Sequence, residues 1–159
     1  MEKENEIAEK LKKHLKNNVF EVKIPRERRI FVKIGKTALK DAVKYLVHEL
    51  GFTHLSTITG ADTSEEIELI YHLAYKGSIE LSLKTTVPKE KPVVPTITDI
   101  IPGAVLYERE VHDLLGVAFE GHPDLSPLVL PEEWPERVYP LRKEYTLEKL
   151  RKLTESTES

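Results

Sequence analysis

Apolar side chains recur along this chain in two rhythms, and its last third keeps neither. In residues 2–17, Ile7, Ala8, Leu11 and Leu15 fall on one side among Glu and Lys pairs, the spacing of an amphipathic helix with a solvated charged face. The period then shortens to two. Phe20, Val22 and Ile24 alternate with Glu21 and Lys23, and Ile30, Val32 and Ile34 follow a polar stretch at 25–29, which predicts an antiparallel hairpin. Thr37 is placed to cap a second helix, whose Leu39, Ala42, Val43, Leu46, Val47 and Leu50 form a wide stripe and whose stop is Gly51. Residues 52–61 are Thr-rich and strand-like. After a turn at Asp62-Thr63-Ser64, Ile67, Leu69, Tyr71, Leu73 and Tyr75 alternate with Glu68 and His72, and beyond Lys76-Gly77 so do Ile79, Leu81, Leu83, Thr85 and Val87 with Glu80, Ser82 and Lys84. Residues 52–87 therefore predict a three-stranded meander. The order α-ββ-α-βββ gives an α+β fold over residues 1–87, a small antiparallel or mixed sheet covered on its apolar face by two helices.

Past Val87 the pattern breaks. Nine of the ten prolines lie beyond it, so 88–103 is expected as a linker, with a short helical turn at 96–101. Residues 104–115 regain helical spacing, with Tyr107, Val111, Leu114 and Leu115 on one face and Gly116 as terminator. Pro123, Pro127, Pro131, Pro135 and Pro140 then remove a backbone donor every four or five residues, which excludes a long helix and disfavours interior sheet. The same stretch carries Leu125, Leu128, Val129, Leu130, Trp134, Val138, Tyr139 and Leu141, too much apolar surface to leave in water. Residues 104–145 thus predict a helix and an extended, proline-rich arm that a partner covers, and 146–159 a short helix with a flexible tail.

Composition narrows the classes of function. With 159 residues, 40% apolar and 32% charged, the chain suits one soluble domain plus an appendage. No apolar run approaches the length of a membrane span, and the first residues lack the basic start and apolar centre of a secretory signal, so a cytoplasmic protein is expected. A net charge of −3 without a basic stripe argues against nucleic acid. Having no cysteine, the chain has no thiolate zinc site and no cysteine-ligated iron–sulfur cluster, so any redox metal belongs to a partner. Seven scattered glycines form no phosphate loop or dinucleotide fingerprint. Abundant Glu and Lys with one Met suit a thermophile.

Titratable groups concentrate in 107–143. Glu108, Arg109, Glu110, His112 and Asp113 lie within one and a half helical turns, with His122 and Asp124 on the next element. Only Glu108 and His112 have i, i+4 spacing, so a metal-dependent hydrolase using Glu108, Glu110, His112 and His122 is the alternative rather than the first reading. Arg109 and Asp113, also i, i+4, suit salt bridges that brace the helix or meet a partner. Gly121-His122-Pro123-Asp124 reads as a structural turn. In Pro140-Leu141-Arg142-Lys143, Leu141 suits a pocket and Arg142 a carboxylate. His14, His48, His54 and His72 stand singly and receive no role.

Together, Glu108-Arg109-Glu110, Asp113, Gly116, Phe119, Gly121-His122-Pro123-Asp124-Leu125 and Pro140-Leu141-Arg142-Lys143 resemble the signature of the 30 kDa subunit of NADH-quinone oxidoreductase, or complex I. The run Leu128-Val129-Leu130-Pro131-Glu132-Glu133-Trp134-Pro135, continuing to Tyr139, is more similar to the homologous subunit of membrane-bound [NiFe] hydrogenases and related energy-converting complexes. The resemblance covers 98–145 strongly, and before that only the layout and the strand ending at Ala61-Asp62. His112 stands where complex I members carry an aromatic, Ser126-Pro127 where they carry an Arg pair, and Glu144 where they carry an aspartate. The missing Arg pair points away from a quinone-reducing complex.

The resemblance implies a non-catalytic peripheral-arm subunit, on the inner face of the cell membrane, of an oxidoreductase that couples electron transfer to ion translocation. Its implied partners are a large 49 kDa-type or hydrogenase-like subunit and a small iron–sulfur subunit, with the membrane arm reached through them. Iron–sulfur clusters, and [NiFe] in the hydrogenase type, would sit in those partners. The docking residues implied are those of the signature together with Tyr107 and Trp134. A stand-alone interaction adaptor differs only in its partner. An arm that orders on assembly is expected to be mobile in the isolated chain.

Overall fold

Alternation along three strands and a wide stripe on one helix fix where the core lies, and a computed structural model, which describes residues 2–131 and 133–157, shows how it closes. Helix α1 (Glu2–Leu15) buries Ile7, Ala8, Leu11 and Leu15, with Glu2 and Glu4 in its first turn and Lys12, Lys13 and His14 in its last, each sign suited to the helix dipole. Strands β1 (Val19–Arg26) and β2 (Arg29–Ile34) form the expected antiparallel hairpin. Thr37 does not cap the second helix. It sits inside a 3-10 turn over Lys36–Ala38, and that turn already engages the Leu39 N–H through Lys36 O. Helix α2 (Leu39–His48) buries Leu39, Ala42, Val43 and Leu46, and past its end Gly51, at φ +78°, lets the Phe52 N–H return to Leu46 O at 2.9 Å.

Strands β3 (His54–Asp62), β4 (Glu66–Tyr75) and β5 (Ile79–Pro88) form the predicted meander, with Phe52 buried ahead of it rather than within it. The sheet order is β1-β2-β5-β4-β3, and the β2/β5 pair is parallel, so the sheet is mixed. On one face Ile30, Val32, Ile67, Leu69, Tyr71, Leu73, Leu81 and Leu83 are almost wholly buried. Burying each such aliphatic side chain stabilises by about 1.5–3 kcal/mol. The other face is polar and partly self-neutralised, with Lys84 on Glu68 at 2.6 Å and Arg29 on Glu80 at 3.4 Å.

Residues 88–103 do not behave as the linker their prolines suggested. Val94, Ile97 and Ile101 are buried in the same hydrophobic cluster as the sheet. Strand β6 (Val93–Pro95) pairs in parallel with β7 (Ala118–Glu120), and helix α3 (Ala104–Leu115) lies between them in sequence. A two-stranded ribbon leaves each strand an unpaired edge, which tolerates proline; Pro92 contributes its carbonyl to the Ala118 N–H at 2.8 Å. The described residues between positions 121 and 146 carry no helix or strand, and α4 (Leu147–Thr157) follows.

Candidate functional site

Helix α3 organises the region that carries the signature residues. It buries Ala104, Glu108, Val111, Asp113 and Leu115 and packs Val111 and Leu115 on β3, and this close approach depends on a glycine. A Cβ added at Gly60 would lie 2.5 Å from Leu115 Cδ1. The helix ends as its sequence requires, at Gly116 with φ +78°, whose N–H reaches His112 O at 2.9 Å. The ring of Tyr139 lies against Gly116 so tightly that a Cβ there would come within 2.5 Å of it.

Two carboxylates of α3 point inward and hold backbone. Glu108 is fully buried, accepting hydrogen bonds from the Thr96 hydroxyl and, at 3.2 Å, from the Ile97 N–H. Burial pushes its carboxyl above the ordinary value of 4.5, and those two donors offset part of the rise. Tyr71, fully buried, is raised well above its ordinary range by burial and further by the charge of Glu108. Asp113 gathers the start of the arm, its Oδ2 accepting from the backbone N–H groups of Leu128, Val129 and Leu130 at 2.7, 2.9 and 3.4 Å. Arg109, the i, i+4 neighbour of Asp113, makes no salt bridge with it. Its guanidinium donates to the carbonyls of Ser126 and Pro127 at 3.0 Å and to the Ser126 hydroxyl at 3.3 Å.

The histidines are structural. His112 Nδ1 donates to Val117 O at 2.8 Å. His122 uses both nitrogens, donating from Nε2 to Val105 O at 3.0 Å and accepting the Asp124 N–H on Nδ1 at 2.9 Å. The expected turn forms there, with Gly121 at φ +87° and Asp124 Oδ1 accepting the Ser126 N–H at 2.9 Å, a bond that holds the Asp124 carboxyl below its usual range. A metal-dependent hydrolase therefore lacks its geometry. Glu108 is enclosed, Glu110 points to solvent, His122 has no free lone pair, and among the described residues no group of three or more His, Asp or Glu is placed to hold a metal ion.

The end of the arm returns to the body. Leu141 N–H and Arg142 Nε donate to the last carbonyls of α3, Leu114 O at 3.0 Å and Leu115 O at 2.7 Å, and the Arg142 guanidinium stacks 4.9 Å above the Tyr139 ring. Lys143 N–H donates to Asp62 Oδ2 at 2.8 Å, and the Trp134 indole N–H to Val138 O at 2.8 Å. The structure thus brings Glu108, Asp113 and Phe119 into the interior, with Gly116 half-buried at the helix end. Tyr107 and Leu125 are half-buried against the core, while Pro123 is exposed and Pro140 half-buried. On the arm, Leu128, Val129 and Leu141 face outward at 39, 54 and 56% exposure, as Phe20, Leu106 and Leu147 do elsewhere. Sequence reasoning missed Thr96 and Lys89, and took Asp62 as a strand end and turn residue only; that turn, in which Oδ1 accepts the Ser64 N–H at 2.8 Å, was its one signal.

These features define an α+β protein whose segment after β7 folds back on its own third helix, with polar groups of α3 holding backbone. The chain belongs to the family described as respiratory-chain NADH dehydrogenase, 30 Kd subunit, which matches residues 32–151. It is 35% identical over 146 residues to a subunit of the F(420)H(2) dehydrogenase of Methanosarcina mazei, covering 87% of this chain and 89% of that protein. To the membrane-bound hydrogenase subunit beta of Pyrococcus furiosus it is 30% identical over 148 residues, covering 89% and 86%. A solved structure of the membrane-bound sulfane sulfur reductase, an archaeal respiratory membrane complex, contains a chain with TM-score 0.82 and 32% identity, covering 99% of this chain and 92% of that one.

Proposed function

We propose that this protein is a non-catalytic subunit of the peripheral arm of a membrane-associated respiratory oxidoreductase, docking its C-terminal arm on the large catalytic subunit. The observation that carries this reading is the arm itself. Its polar backbone is satisfied internally by Asp113, Arg109 and the α3 carbonyls, while Leu128, Val129 and Leu141 face outward. Exposed apolar groups on a fixed scaffold suit a partner surface. Relatives whose names place them in F(420)H(2) dehydrogenase and membrane-bound hydrogenase, and a structural neighbour in a sulfur-reducing complex, support the same class of assembly. Among the described residues no helix is long and apolar enough to cross a membrane. The reading accordingly has the chain reach the inner membrane face through partners, and has iron–sulfur clusters and any [NiFe] centre reside in those partners.

Affinity purification of the tagged chain from solubilised membranes of the source cell, followed by mass spectrometry, tests this. Co-elution with a 49 kDa-type or hydrogenase-like large subunit and a small iron–sulfur subunit is expected. Recovery of the chain alone would contradict the proposal.

A further inference from the structure

Asp62 and Lys143 are 81 positions apart, yet the backbone of one arm residue is tied to the carboxylate of the other element. The Asp62 side chain is only 1% exposed. Its Oδ1 accepts the Ser64 N–H at 2.8 Å, and its Oδ2 accepts both the Lys143 N–H at 2.8 Å and the Lys89 ammonium at 2.6 Å. Lys89 also holds Glu144 at 2.6 Å, and the Lys143 ammonium donates to Ser64 Oγ at 3.1 Å. The Lys89 backbone is itself fixed, its N–H reaching Glu65 O at 3.2 Å. Three segments therefore converge on one ammonium flanked by two carboxylates: the end of β3, the turn after β5, and the end of the arm.

We propose that Asp62, Lys89 and Glu144 form an ionic clasp that fastens the arm to the body of the isolated chain, making Asp62 a positioning residue for docking. The inference rests on the docking role proposed above and replaces the expectation of an arm mobile in isolation with one prepared before a partner arrives. Burial alone would raise the Asp62 carboxyl, but the Lys89 ammonium and the N–H groups of Lys143 and Ser64 outweigh it and bring it down to about 2. Together with Asp113 at the arm's start, the clasp leaves the intervening residues as a loop held at both ends. A loop ordered in advance loses less conformational freedom on association, so the clasp raises affinity without touching the partner.

Hydrogen exchange with mass spectrometry on the purified full-length chain tests the clasp without any partner. In the wild type, amides at 139–145 are expected to be protected. Asp62→Asn should raise their exchange about tenfold or more while β4 and β5 are unchanged, and should open Arg142 to trypsin. Lys143→Ala, which keeps the backbone N–H, should stay within about twofold of wild type. Should Asp62→Asn unfold the whole chain, Glu144→Gln at an exposed position gives the same local reading. Arm amides unprotected in the wild type, or unchanged in both Asp62→Asn and Glu144→Gln, would overturn the clasp. A protected, clasp-dependent arm in a chain that is recovered alone from solubilised source membranes would instead uphold the clasp and contradict the docking role.

Discussion

Asp113 spends one oxygen on three successive backbone N–H groups, a use of charge that no neutral side chain of its size can copy. Asp113→Ala should destabilise the folded arm by about 1–3 kcal/mol, read as faster exchange at Leu128, Val129 and Leu130 with little change in the sheet. Gly116 carries a different constraint: φ +78° and the adjacent Tyr139 ring both reject a Cβ. Gly116→Ala is expected to cost about 1–3 kcal/mol in urea denaturation. The carboxyls of Asp62 and Glu108 shift in opposite directions, which gives opposite pH signatures. Asp62 is depressed to about 2, so its contribution is present above its ordinary value of 3.8 and fades as pH falls towards 2. Glu108 is raised by burial, so its contribution is full below its ordinary value of 4.5 and is lost as pH rises through the folded value. Glu108→Gln should flatten the stability profile above pH 4.5, measured by urea melts at a series of pH values.

Among the elements, those with a strong period were legible. β4 and β5 alternate strictly, and their core faces are the residues the alternation named, from Ile67 to Leu73 and from Ile79 to Val87. Helix α2 and the Gly116 stop followed equally from local spacing. What the sequence hid was non-local. The parallel β2/β5 pair joins strands separated by a helix and two further strands, and nothing in either strand marks its neighbour. Pro92 and Pro95 marked 88–103 as a break because proline excludes a central strand, but a two-stranded ribbon needs fewer donors, and Val94 and Ile97 were free to enter the core. In the arm the signature residues were legible as a group while their directions were not, since the residues from Glu108 to Asp113 alternate between inside and outside within two turns. The outward set carries the docking prediction. Val129→Asp with Leu141→Asp should leave the melting temperature within about 2 °C, because both side chains are already exposed, while abolishing co-purification.

At the scale of the whole molecule, a sheet covered on one face, a helix seated on Gly60 and an arm tied down at Asp113 and Asp62 form one body that presents apolar groups along a fixed path. The residues that fasten the arm come from β3, the turn after β5, α3 and the arm itself, so the proposed docking surface is a product of the entire fold. The central claim is that this surface joins the chain to the large subunit of a respiratory complex. Quantitative affinity purification from source membranes, comparing wild type with the Val129→Asp/Leu141→Asp variant, tests it most directly. Wild type is expected to recover the large and small electron-transfer subunits in equal proportion with itself, and the variant to recover at least about tenfold less. Equal recovery by both chains, or none by the wild type, would contradict the account.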